Sequence, residues 1–231
     1  YGQLGQLHLE AGRMEEAEGA LRTGLALDGE DPELLFLLAR FFARDDEEAR
    51  LLLERAVEAD PLHLHAWLEL GSLRLSLEDL SGARECFEEV LDLAPDASDG
   101  YRELALLELE SEPRESIRLA RKAIELDRDD VSAWTVLGQA QLLTGERAEG
   151  ERTLLTACAI EPVDPDGARA HWVLADVYAS TGRHEDAIAT LEGVSHFASL
   201  MPEIAADLGQ GYAELGRARE ARDWLQVALE H

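Results

Sequence analysis

The sequence predicts an all-α protein built from stacked helical repeats. Seven leucines, each followed at once by glycine or alanine, recur at intervals of 32 to 37 residues. A period in this range is typical of a repeat array rather than of a single closed core. Good helix formers dominate the chain, and no stretch shows the alternation of a β-strand. The repeat leucines are Leu4, Leu38, Leu70, Leu104, Leu137, Leu174 and Leu208.

Each repeat is predicted to contain two antiparallel helices. In residues 66–95, Trp67, Leu70 and Gly71 are spaced to share one face of a first helix, whereas Ala83 and Phe87 mark a second helix. Two helices pack closely only where one presents a small residue to the other. The small residues at this place in the second helices are Ala17, Ala49, Ala83, Ser116, Gly150, Ala187 and Ala221.

These residues resemble the tetratricopeptide repeat, whose first helix carries W-x2-L-G-x2-Y and whose second carries A-x3-F, followed by proline. The resemblance covers nearly the whole chain. It implies a right-handed superhelical solenoid of seven helix-turn-helix repeats that forms a single domain over residues 1–231. The predicted repeats are 1–29, 30–61, 64–95, 98–128, 131–162, 168–199 and 202–231.

The spacing of the repeat pattern is irregular at three places, two inside repeats and one between repeats. The turns at residues 44–46 and 111–113 are shortened, and the link at residues 161–167 carries three extra residues. In that link we expect Asp166 to begin a turn or to cap the sixth repeat.

The fourth residue after each repeat leucine, called here the aromatic slot, is filled unevenly. It is aromatic in three repeats, at Phe42, Tyr178 and Tyr212. Repeats without an aromatic residue there either pack more loosely or use the position for contacts. The residues in their slots are His8, Arg74, Glu108 and Gln141.

Both ends of the sequence suggest a fragment of a longer protein. Tyr1 falls inside a first helix, which truncates the first repeat, and residues 229–231 resemble the start of an added histidine tag. Repeat arrays need capped ends for solubility. Open repeat ends would therefore allow self-association.

The charge balance excludes several classes of partner. The chain has 21 basic and 49 acidic residues, a net charge of −28. A phosphate backbone requires a basic surface, so nucleic acid is not expected as a ligand, nor is an anionic membrane. The acidity either attracts a basic or amphipathic partner or simply solvates the outer face.

No pattern of catalytic or metal-binding residues appears in the chain. There is no nucleophile motif and no phosphate-binding loop, so we expect neither an enzyme nor a cofactor. His63 and His65 lack further ligands at metal-binding spacing. Cys86 and Cys158 fall in the third and fifth repeats, and the whole repeat between them makes a disulfide implausible. The longest apolar run, residues 34–39, is too short to cross a membrane.

The family resemblance implies that the first helices line a concave groove that holds a partner peptide or helix. The residues expected to face it flank the helix-packing positions, include few acids, and combine apolar side chains with two arginines. Alternatively, Phe36 and Trp172 pack between neighbouring first helices. The absence of lysine here excludes the clamp that binds acidic chaperone tails. The candidate groove residues are Phe36, Arg40, Leu68, Ser72, Leu75, Arg102, Leu106, Thr135, Gln139, Leu142, Trp172, Asp176 and Gln210.

The sequence thus predicts a non-catalytic scaffold or adaptor that binds a partner protein. The alternatives are an accessory region of a larger enzyme or of a bacterial envelope or secretion machine, and a spacer without a specific ligand. We expect a bacterial protein in the cytoplasm, with the periplasm as the alternative compartment.

Overall fold

The computed structural model describes residues 1–160 and 164–230, and these residues form fourteen α-helices and no β-strand. The helices divide into two compact units, Tyr1–Leu107 and Glu108–His231. The division falls between the two helices of the predicted fourth repeat.

The first unit contains seven helices, each packed against the next one along the chain. Its core is built around Leu35, Leu38, Leu53 and Leu70, all nearly inaccessible to solvent. The helices are α1 (Gly2–Glu10), α2 (Met14–Leu27), α3 (Pro32–Phe42), α4 (Asp46–Ala59), α5 (Leu64–Ser76), α6 (Leu80–Leu93) and α7 (Ser98–Leu107).

The second unit also contains seven helices, and here the first helices α9 and α11 contact each other directly. Leu154, Leu174, Leu191, Ile204 and Leu208 form the centre of its core. A short 3-10 turn, Ser195–Phe197, precedes α13. The helices are α8 (Pro113–Leu126), α9 (Val131–Leu143), α10 (Arg147–Ile160), α11 (Pro165–Ser180), α12 (His184–Glu192), α13 (Pro202–Glu214) and α14 (Ala218–Leu229).

The predicted all-α fold of helix-turn-helix repeats is confirmed. The small residues do bring the paired helices together: a Cβ placed on Gly138 of α9 would lie 2.7 Å from Leu154 Cγ of α10, and one on Gly209 of α13 would lie 2.6 Å from Leu225 Cγ of α14. These distances are shorter than van der Waals contact, so a side chain at either position would force its neighbours to move.

The start of the sixth repeat differs from the prediction. Helix α11 begins at Pro165, and Asp164 caps it, because its Oδ1 accepts the backbone N–H of Gly167 at 2.6 Å. The expectation that Asp166 is the cap or a turn residue is wrong, since Asp166 lies in the first helical turn. Residues 161–163 of the predicted link, and His231 of the predicted tag, lie outside the described residues.

The aromatic slots without an aromatic residue are not all loosely packed. Gln141 is only 2% exposed, and its Oε1 accepts a hydrogen bond from the buried Thr153 hydroxyl at 2.7 Å. A buried amide with such a partner carries little desolvation penalty. The expectation of looser packing is therefore wrong for the fifth repeat. In the filled slots, the Arg183 and Arg217 guanidinium groups lie over the Tyr178 and Tyr212 rings.

The turns inside five repeats share one cap geometry that requires a left-handed residue. In the sixth repeat the N–H of Gly182 donates to Ala179, and the N–H of Arg183 donates to Tyr178. This is the hydrogen-bond pattern of a Schellman cap. Gly12, Gly145, Gly182 and Gly216 take the left-handed position with positive φ, but in the third repeat Glu78 holds it at φ 63°.

We expect the substitution Glu78→Gly to stabilise the protein by about 1 kcal/mol, because the left-handed conformation is strained for a residue with a Cβ and free of strain for glycine. Thermal unfolding measures the effect. Glu85→Gly, the same replacement inside α6, is the matched control and should destabilise by about 1 kcal/mol. Equal destabilisation by both variants would contradict this explanation of the turn.

Candidate interaction surface on the first helices

In the first unit, the predicted groove residue Phe36 of α3 packs against two histidine rings and lies below the side chain of Arg40. Phe36 is 6% exposed, and its ring centroid lies 5.1 Å from that of His63 and 6.3 Å from that of His65. Arg40 is exposed above it and pairs with Glu69 of α5 at 3.3 Å. Phe36 therefore packs between neighbouring first helices, as the alternative interpretation proposed, and offers little area to a partner.

His63 has a structural part in this stack. Its Nδ1 accepts the backbone N–H of Ala66 at 3.2 Å and so caps α5. The ring proton is therefore assigned to Nε2, which lies 3.2 Å from a carboxylate oxygen of Glu33. Both ring nitrogens are thus engaged within the chain.

The remaining candidates of the first unit are accessible or half-buried. Ser72 is exposed, whereas Leu68, Leu75 and Leu106 are half-buried along α5 and α7. Arg102 lies 2.6 Å from Asp99 and 2.9 Å from Glu103, so acids of its own helix accompany it. Arg102 is therefore neutralised within its own helix, which reduces its value as a charged anchor.

On α9 of the second unit, the candidates mostly support the core. Thr135 is 2% exposed and donates its hydroxyl proton to Val131 O at 2.8 Å. Leu142 packs against the apolar core of the unit, and Gln139 is half-buried. Thr135, like Phe36, supports the surface rather than providing contact area.

A cavity of about 270 Å³ opens between α11, α12 and α13, and we call it the α11–α13 pocket. Small or apolar side chains form much of its wall: Ala175, Ala179, Ala187 and Leu191. The sequence-predicted candidates Asp176 and Gln210 both line it. The structure thus brings together two candidate residues that are 34 positions apart in sequence and lie on different helices.

Two acids of α13 also line this pocket, although neither is among the candidates predicted from sequence. Asp207 and Glu214 flank Gln210 on α13, three residues before it and four residues after it. That spacing places all three on one face of a helix. The helical periodicity around Gln210 could have identified them.

Trp172 links the two first helices that line the pocket. Its indole N–H donates to Asp207 Oδ2 at 2.7 Å, which joins α11 to α13. Burial raises the pKa of the Asp207 carboxyl above its usual value; the indole hydrogen bond opposes this shift, and the nearby Asp176 and Glu203 charges add to it. Asp207 is therefore a half-buried carboxylate whose charged form is disfavoured by burial and by neighbouring acids.

The two thiols offer no reactive group. Burial raises the pKa of Cys86 to about 11 and that of Cys158 to about 12. Since the thiolate is the nucleophilic form, both side chains behave as small apolar residues at neutral pH.

Comparison with known proteins identifies the family of the chain. Models of the tetratricopeptide repeat match residues 1–41, 43–98, 68–112, 131–155, 159–195 and 202–226. The chain belongs to the tetratricopeptide repeat family. A tetratricopeptide repeat protein from Parabacteroides merdae has the same fold, with a TM-score of 0.74 and 17% identity over 98% of this chain and 90% of that one.

Two curated relatives are longer than this chain. Tetratricopeptide repeat protein 5 of Mus musculus is 29% identical over 170 residues, which are 67% of this chain and 38% of that protein. Protein O-mannosyl-transferase TMTC3 of Homo sapiens is 26% identical over 113 residues, 48% of this chain and 12% of that protein. The chain therefore spans less than half the length of either relative. In the described part of the chain, no helix is both long and apolar enough to span a membrane.

Proposed function

We propose that this chain is a non-catalytic interaction module that binds a segment of a partner protein at the α11–α13 pocket. The observation that supports the proposal most strongly is the pocket itself. It is a concave site on the first-helix surface, and it combines apolar walls with a small number of polar groups. That combination is typical of sites that bind by recognition rather than by reaction.

The chemistry of the pocket favours binding over catalysis. Its titratable side chains are the carboxylates of Asp176, Asp207 and Glu214 and the imidazole of His184. No nucleophile accompanies them in the described part of the lining, since Ser180 Oγ donates to Val177 O and also accepts from Arg147. An activated hydroxyl would instead need a base as its hydrogen-bond partner.

The extent of the surface suits an extended segment or a helix. Asp176 on α11 and Gln210 on α13 provide polar anchors in the lining, and Trp172 is joined to the site by its hydrogen bond to Asp207. Aromatic residues next to a pocket commonly dominate the binding energy of an interface.

The test is to fill the pocket without changing its charge. We expect Ala179→Trp to abolish capture of host proteins by the immobilised chain, because the indole would occupy the cavity that Ala179 lines. The matched control is Ala189→Trp, an exposed alanine of α12 that lines a different cavity formed by Leu155, Tyr178 and Thr190. Capture is measured by quantitative mass spectrometry of the bound proteins, with circular dichroism to check folding. Undiminished capture by folded Ala179→Trp would exclude this pocket as the binding site.

A second function is that of an accessory region in a larger enzyme. It is favoured by one observation, namely that the chain resembles a short part of a protein named as a mannosyl-transferase. The same pocket would then hold a substrate protein or another domain of the enzyme. Sequencing the complete gene separates the two functions, because only the second requires an adjoining catalytic domain.

A further inference from the structure

The α11–α13 pocket has the chemistry of a site for a long amphipathic side chain. Ala175, Ala179, Ala187 and Leu191 give it apolar walls that suit a chain of methylene groups. Asp176 from α11, with Asp207 and Glu214 from α13, places carboxylates on two of its three helices. Lysine and arginine bury an aliphatic stem and keep a charged end near polar groups, which matches this arrangement.

The carboxylates of the pocket have no basic partner among the described residues, in contrast to acids on the neighbouring surface. Arg183, for example, lies 2.7 Å from both Glu151 and Asp186. Asp207 receives only the indole N–H of Trp172, and the charges that affect it most are those of other acids. A half-buried carboxylate in this position is stabilised by an added cation.

The basic groups nearest the pocket do not fill this role. Arg147 donates to Ser180 Oγ at 3.2 Å and to Val177 O at 3.5 Å, so its guanidinium is directed to the end of α11. His184 lines the wall at the start of α12. Neither makes an ion pair with Asp176, Asp207 or Glu214 in the described structure.

The size of the pocket agrees with one side chain. The cavity has a volume of about 270 Å³. Sites for drug-sized ligands are usually larger, about 300 to 1,000 Å³. The cavity therefore suits a single long residue of a bound segment.

We propose that the α11–α13 pocket receives a lysine or arginine side chain of the partner segment, with its stem against the alanines and its cation between Asp176 and Asp207. This inference rests on the proposed function and adds the chemistry of the partner. The net charge of −28 supports it, because a strongly acidic protein attracts basic segments over a distance and speeds their association.

The charge of Asp207 also lowers the stability of the fold. Because the folded-state pKa of Asp207 is raised, its contribution to stability is greatest below its unfolded pKa and is lost as the pH rises through the folded-state value. Asp207→Asn keeps an oxygen acceptor for Trp172 and removes the charge, so we expect it to raise the melting temperature while it weakens cation binding.

The binding test uses N-acetyl-arginine amide, N-acetyl-lysine amide and the neutral N-acetyl-citrulline amide as probes. Binding is followed by the indole ¹H–¹⁵N resonance of Trp172, one of four tryptophans, assigned with Trp172→Phe. We expect the two cationic probes to shift this resonance and the citrulline probe to leave it unchanged. Asp176→Asn/Asp207→Asn should weaken the cationic probes by about tenfold or more, the effect of losing a charged hydrogen bond.

The control is Asp166→Asn/Asp223→Asn, which removes the same two charges from exposed positions of the second unit and should leave the affinities unchanged. Equal shifts with the citrulline and arginine probes, or no shift of the Trp172 indole with any probe, would overturn the inference. Either result would leave the proposed function intact if Ala179→Trp still abolishes capture. Retained capture by Ala179→Trp would instead overturn the proposed function.

Discussion

Replacing Gly138 by leucine is expected to lower the free energy of unfolding by about 3 kcal/mol, at the upper end of typical overpacking costs. A Cβ at this position would lie 2.7 Å from Leu154 Cγ and 3.3 Å from the carbonyl oxygen of Gly150. A side chain can move aside, but the Gly150 backbone is held in α10 by its helical hydrogen bonds. In the reverse direction, a Cβ on Gly150 would lie 2.9 Å from Gly138 O. The two glycines therefore permit the close crossing of α9 and α10.

Gly19→Leu is the matched control for this prediction. Gly19 lies inside α2, is exposed, and a Cβ there would meet nothing within 4 Å. Because leucine is the better helix former, this variant should gain up to about 1 kcal/mol. Urea unfolding followed by circular dichroism measures both variants. A Gly138→Leu protein that is as stable as the original would show that the crossing is not tight.

Replacing Phe87 by alanine is the second change with a large expected effect, a loss of about 3 to 5 kcal/mol. Phe87 is 0% exposed, and its ring lies directly over Gly71, where α5 and α6 cross. Removing the ring leaves a cavity that the packed helices fill only in part. Phe41→Ala is the control, since Phe41 is 43% exposed and should cost less than about 1 kcal/mol.

A double-mutant cycle tests why Phe87 matters. Gly71→Ala alone should destabilise, because its methyl group would collide with the Phe87 ring. In the Phe87→Ala background the same methyl group fills vacated space, so Gly71→Ala should be neutral or stabilising there. Urea unfolding of the four proteins gives the coupling energy. Additive effects would contradict direct packing of this pair.

The repeat fold was predictable from sequence because close helix packing leaves a local signature. A small residue such as Gly138 and a large residue such as Leu154 must lie at a fixed separation in sequence. The same requirement recurs in each repeat along the chain. The start of α11 was not predictable in the same way. The extra residues before it break the period, and both Asp164 and Asp166 are suitable caps.

The candidate site was predictable only in part. Asp176 and Gln210 were identified because the repeat pattern fixes which side of a first helix they occupy. Asp207 and Glu214 were missed because the pattern selected single positions rather than a whole helical face. The accessibility of Phe36 to a partner was overestimated. An apolar residue at a groove position has the same sequence signal whether it is exposed or, like Phe36, covered by neighbouring histidine rings.

The most direct test of the central claim is site-specific photocrosslinking in a lysate of the host. A photoreactive phenylalanine derivative is placed at Gln210, which lines the α11–α13 pocket, and in a matched protein at Gln226, an exposed residue of α14. Partner binding at the pocket predicts crosslinked protein from position 210 and none from position 226. Crosslinks from position 226 alone, or from neither position, would contradict it.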